Sequence, residues 1–140
     1  MKGSRILIVD MDTIARKNLE NRLADEQCEI NRATNVRQAL DMFKGGYDAV
    51  LINAFLNDGC WRDESENVVG PYETPQVVFD HVPSGTVIVF YGGPVMSSPN
   101  GRKALTALQE QDHTYFDIGG PGEARIFDYL QERLTLARTA

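Results

Sequence analysis

Cysteine is scarce in this sequence. Of 140 residues only two are cysteines, Cys28 and Cys60, and neither belongs to a CxxC or other metal-ligand spacing. Both read as free thiols of a reducing compartment, so a cytoplasmic setting is expected. A chain of this length can bury its own core and needs no disulfide or metal staple. Long apolar runs are also missing. The first run is only Ile6-Leu7-Ile8-Val9, too short for a signal peptide, and no run approaches the ~18 residues that a bilayer span requires. Membrane partners are therefore not expected. Positive charge is in short supply: 14 Lys plus Arg against 20 Asp plus Glu leaves a net charge of −6. Without a basic block the chain is a poor nucleic-acid binder, since grip on phosphate backbones comes from clustered Lys and Arg. The two histidines, His81 and His113, stand alone. They are expected to be structural or surface residues, because a metal site needs further partners at suitable spacing.

What is present is an alternation of short apolar runs and amphipathic stretches. Residues 6–9 are continuously apolar, the pattern of a strand buried on both faces. Thr13 can cap a following helix on which Ala15, Leu19 and Leu23 recur every four residues. Residues 28–33 read as a second strand. Asn35 can cap the next helix, with Gln38 placed as in a capping box, and Val36, Ala39, Leu40 and Phe43 line one face. Gly45-Gly46 stops that helix. Residues 48–54 form a third strand, 86–91 a fourth and 114–118 a fifth. Helices after the last two carry Ala104, Leu105, Ala107 and Leu108, then Ile126, Phe127, Leu130, Leu134 and Ala137.

The stretch at about 57–85 is polar and irregular. Its acidic patch from Asp63 to Glu66 reads as a solvated loop, and Trp61 as a residue packing the loop onto the sheet, with an exposed anchor for a partner as the alternative. Within it Thr74-Pro75 resembles an N-cap followed by proline at the first helical position, opening a short helix through Val77, Val78 and Val82. Residues 1–140 are accordingly taken as one domain. Strands alternating with helices imply βα units around a parallel sheet. The expected fold class is α/β, a three-layer doubly wound sheet of flavodoxin-like order 2-1-3-4-5. In such a sheet Asp10, Met11, Asp12, Asn53, Tyr91 and the loop of residues 119–122 converge beyond the carboxyl ends of the strands.

Residues 6–12, the helix after them, 29–33, 36–43 and Tyr47-Asp48-Ala49-Val50-Leu51-Ile52-Asn53 resemble the receiver domain of bacterial two-component response regulators. The later strands and the last helix are consistent with it. The resemblance implies a phosphoacceptor aspartate at the end of the third strand and two acidic residues after the first, holding Mg²⁺. It also implies a Thr or Ser ending the fourth strand, and a Lys–Pro step after the fifth. Carried over position by position, the first acid is Asp10 and the second falls on Met11, with Asp12 beside it. The phosphoacceptor position is Asn53, the switch position Tyr91, and the Lys–Pro step reads Gly120-Pro121. An amide at position 53 has no nucleophilic carboxylate oxygen. The resemblance thus implies a pseudo-receiver, a non-enzyme that cannot be phosphorylated conventionally. Neutral Asn53 also lowers charge repulsion around Asp10, so the pocket can hold together without metal. No cofactor is expected; Asp10 and Asp12 are the residues a Mg²⁺ would have available. A tyrosine at position 91 is expected to hold one rotamer where an ordinary receiver switches between two states.

The resemblance further implies regulation or scaffolding by contact with a protein of a signalling pathway, or with a second copy as a homodimer. The face to carry it would be Arg102, Leu105, Gln109, Tyr115, Arg125 and Tyr129. Two alternatives stand beside this. Asp10-Met11-Asp12-Thr13 partly fits the opening motif of Mg-dependent haloacid-dehalogenase-type phosphatases, with Thr13 one place early and the later Ser/Thr and Lys of that family missing. The loops Gly92-Gly93-Pro94 and Gly119-Gly120-Pro121-Gly122 each precede a helix start and would suit a small-ligand sensor, though neither is a phosphate-binding motif.

Overall fold

A computed structural model describes residues 1–11, 13–54, 56, 74–92, 99–118 and 121–139, with backbone alone at 13–15, 100, 101, 104, 121–123 and 136–139. Its elements run β1 (Arg5–Val9), α1 (Thr13–Asp25), β2 (Glu29–Ala33), α2 (Val36–Met42), β3 (Ala49–Asn53), α3 (Thr74–His81), β4 (Val87–Gly92), α4 (Pro99–Glu110), β5 (Tyr115–Asp117) and α5 (Pro121–Thr139). The five strands pair in the order β2-β1-β3-β4-β5, every pair parallel, as the alternation of elements implies.

The sheet divides the core in two. Leu7, Val9, Val50, Ile52 and Phe90 point to the side packed by Val36, Ala39, Val78 and Leu108 of α2, α3 and α4. Ile6, Ile8, Leu51, Val89 and Tyr91 point to the side packed by Leu19 and Leu23 of α1 and by Ile126, Phe127, Leu130 and Leu134 of α5. Ile6, Leu7, Ile8 and Val9 are all 0% exposed. Burial of each contributes about 1.5–3 kcal/mol, which is why the run is continuous rather than alternating.

Helix and strand ends depart from the sequence pattern in detail. Asn35 Oδ1 accepts from Gln38 N–H at 2.9 Å, but Gln38 Oε1 takes the N–H of Thr34 (2.8 Å) rather than that of Asn35. An open donor at the helix start is satisfied either way. A 3-10 turn at Phe43–Gly45 follows α2 and ends on Gly46, whose φ of 75° suits a residue without Cβ. In the irregular stretch α3 begins at Thr74 itself, so residues 74–81 are regular; the acidic patch, Cys60 and Trp61 lie outside the described residues. β5 spans three residues, shorter than the five of its apolar pattern, because it pairs with only Phe90, Tyr91 and Gly92 of β4.

Candidate functional site

Three strand ends build the site. Asp10 follows β1, and its N–H continues the ladder to the carbonyl of Ala33 on β2 (3.0 Å). Val9 is in register with Ile52, so Asp10 lies level with Asn53 at the end of β3, and Asn53 is in register with Tyr91 on β4. The N–H of Ala54 closes onto the Tyr91 carbonyl at 2.7 Å. The ladders thereby bring Asp10, Asn53 and Tyr91 side by side at the carboxyl edge of the sheet.

Their side chains complement one another. Asn53 Nδ2 donates to Asp10 Oδ1 at 3.0 Å, and the Tyr91 hydroxyl donates to Asp10 Oδ2. Asp10 and Tyr91 are both 0% exposed. A buried carboxylate deprived of such donors is costly, so the two bonds are what let Asp10 stay out of water. Arg16 of α1 adds a third tie, its Nη1 donating to the Asp10 backbone carbonyl at 3.1 Å. Arg16 is itself paired with Glu20 (3.3 Å), and Glu20 also meets Arg32 of β2 (2.9 Å). Arg16 and Glu20 are nearly buried while Arg32 is open to solvent, so the first pair matters more than the second.

Mg²⁺ takes oxygen ligands in octahedral geometry. Here both Asp10 oxygens face hydrogen-bond donors, Met11 (49% exposed) offers only a thioether, and Asp12 lies outside the described residues. Among the described residues no cluster of three or more His, Cys, Asp and Glu could hold a metal. The described donor set is that of a hydrogen-bonded carboxylate.

The other expected residues scatter. Gly92 ends β4 and its carbonyl accepts the N–H of Ile118 at 2.9 Å. Gly93, Pro94, Gly119 and Gly120 lie outside the described residues, and Pro121-Gly122 open α5. Of the proposed contact face, Arg102, Gln109 and Arg125 are exposed, while Leu105, Tyr115 and Tyr129 are half-buried. β5 divides that face. Leu105 and Tyr115 pack with the cluster of α2–α4, and Tyr129 with that of α1 and α5, 5.6 Å from the Phe116 ring. Cys28 is half-buried, and no helix among the described residues is long and apolar enough to cross a membrane.

Sequence reasoning missed two features. The Arg16–Glu20 pair was legible in its i, i+4 spacing. His113 was not: the αL conformation of Asp112 (φ 55°) turns the chain after α4 and lays His113 4.2 Å from the Phe79 ring and 4.8 Å from the Phe90 ring. Its Nε2–H donates to Gln76 Oε1 at 2.7 Å. Burial holds His113 below its ordinary value, against the upward pull of Asp80 and Asp112.

In sequence, no family profile and no curated protein matches the chain. In structure the matches are clear. A signal receiver domain of an HD domain-containing protein from Pseudomonas fluorescens Pf-5 superposes with a TM-score of 0.68 at 16% identity, over 99% of this chain and 92% of that one. A CheY-like receiver domain protein from Methanospirillum hungatei JF-1 gives 0.64 at 18% identity, over 97% and 98%. The fold is that of a response-regulator receiver domain. NtrX from Brucella abortus is matched over 98% of this chain and 28% of that longer one, at 16% identity and a TM-score of 0.64. Asn53 is the last residue of the third strand, and Tyr91 is the next to last of the fourth.

Proposed function

We propose that this receiver-fold chain is a signalling module of response-regulator type that works by protein contact and without phosphotransfer. One observation carries the proposal: both carboxylate oxygens of Asp10 are engaged, by the Asn53 amide and the Tyr91 hydroxyl. The position where a receiver would offer a nucleophile offers an amide, and that amide is turned to a structural task. The residue at the switch position is buried with its hydroxyl committed, so Tyr91 holds one conformation. A cytoplasmic location and a protein partner, or a second copy of the chain, accompany this proposal. Incubation with a small acyl phosphate and Mg²⁺, followed by intact-mass measurement, tests it. The mass stays unchanged on this account, whereas gain of a phosphoryl group would sink it. Two populated side-chain states of Tyr91 in solution would count against the single conformation.

A further inference from the structure

The outer edge of the sheet at β2 carries a second arrangement, reached from the Asp10 pocket through Arg16, Glu20 and Arg32. Two hydrogen bonds fix which way the β2 backbone points: Glu29 N–H reaches the Ser4 carbonyl (2.9 Å), and the Ala33 carbonyl takes the Asp10 N–H (3.0 Å). Glu29, Asn31 and Ala33 therefore face β1. By the alternation of a parallel ladder, the N–H and C=O groups of Ile30 and Arg32 face away from the sheet. β2 is the end strand, so among the described residues these peptide groups form an open edge.

A groove of about 310 Å³ flanks that edge on the α1 side. Ala24, Cys28 and Ile30 are the apolar part of its lining. Its charged lining is Lys17, Arg32 and Glu20, and Glu20 is already held between Arg16 and Arg32. The exposed cations at this rim thus stand out on a chain of net charge −6. An added strand would place alternate side chains over the groove, because successive residues of a strand point to opposite faces.

We propose that the β2 edge is a docking site for an extended segment of a partner protein, which pairs with Ile30 and Arg32 as a sixth strand. The segment carries an apolar residue that sits over Ala24 and Ile30. Two positions away it carries a carboxylate that meets Arg32 and Lys17. This goes beyond the proposed function.

The probes are blocked pentapeptides that alternate threonine with one valine and one glutamate, in both orders, and the same peptides with N-methyl groups on the pairing amides. The readout is the amide spectrum and hydrogen exchange of the full chain. Saturable shifts at Ile30 and Arg32, with slowed exchange of their amides, support strand addition. N-methylation abolishes them, and replacing the glutamate by lysine weakens binding at least tenfold. Lys17→Glu, at an exposed position outside the Arg16–Glu20 pair, lowers affinity for the glutamate peptide without disturbing the fold, a control for Arg32→Glu. Binding that survives N-methylation would reduce the site to a charge patch and overturn the proposal. Absence of shifts at millimolar peptide would do the same. So would protection of the Ile30 and Arg32 amides that rises with protein concentration alone, since the edge would then pair with a second copy.

Discussion

The centre of the sheet and its β5 edge treat a tyrosine hydroxyl in opposite ways. On β4, Tyr91 is 0% exposed and gives its O–H to Asp10. One strand away, the Tyr115 hydroxyl is also shielded from water, yet it has no hydrogen-bond partner among the described residues. Burial, with Asp117 adding to it, pushes the Tyr115 phenol up to about 12. A polar group left alone out of water costs about 1–3 kcal/mol, and a paired one contributes about 0.5–1.5 kcal/mol. The centre is therefore matched where the edge is not. A pocket that had merely lost its chemical groups would carry orphans like that of Tyr115. In this pocket Asn53, Tyr91 and Asp10 answer one another.

Substitutions can break this contrast in a graded way. Asp10→Ala removes the acceptor of both bonds at once, from a half-buried amide and a fully buried phenol. It should cost about 3 kcal/mol or more in urea unfolding, the largest effect expected. Tyr91→Phe removes one donor and should cost about 1–3 kcal/mol in the same assay. Asn53→Asp puts a second carboxylate beside the first, which raises the folded-state pKa of the pair. Its penalty is absent at pH below the unfolded carboxylate value of about 3.9 and full above the raised folded value, so the gap to the parent should widen from pH 4 to pH 7. A loss of about 1–2 kcal/mol at pH 7 is expected, partly restored by Mg²⁺ in the variant but not in the parent.

The edge should respond more weakly. His113 has a folded-state pKa below its ordinary 6.5, so the unfolded chain binds the proton more readily. Its contribution is present above 6.5 and is lost as pH falls below that value towards the folded pKa. Thermal unfolding scans should show this slope, and His113→Gln should flatten it. Tyr115→Phe should have the smallest effect, from none to a gain of about 1 kcal/mol, since it deletes an orphan hydroxyl.

The sheet was legible because its buried strands need unbroken apolar runs, as in residues 6–9 and 49–52. The strand order was expected by analogy with flavodoxin-like sheets of five such units, and the structure has it. The positions of Asp10, Asn53 and Tyr91 were legible too, because strand ends fall on one edge. Their mutual hydrogen bonds were not, since no local pattern states which donor meets which carboxylate oxygen. How deep the residues of the expected contact face sit was not legible for a similar reason. Leu105, Tyr115 and Tyr129 look like surface residues by spacing, but they pack half-buried against the two halves of the core. His113 owes its place to a left-handed turn at Asp112, which a non-glycine residue rarely announces.

The most direct test of the central claim is an amide-shift titration of the whole chain with Mg²⁺, and then with Mg²⁺ plus beryllofluoride, which imitates a phosphoryl group on an aspartate. A pocket closed by its own hydrogen bonds predicts no saturable shift at Asp10, Asn53 or Tyr91. Saturable shifts at those three residues would mean that the site still takes a cation and a phosphoryl group, and would contradict the account.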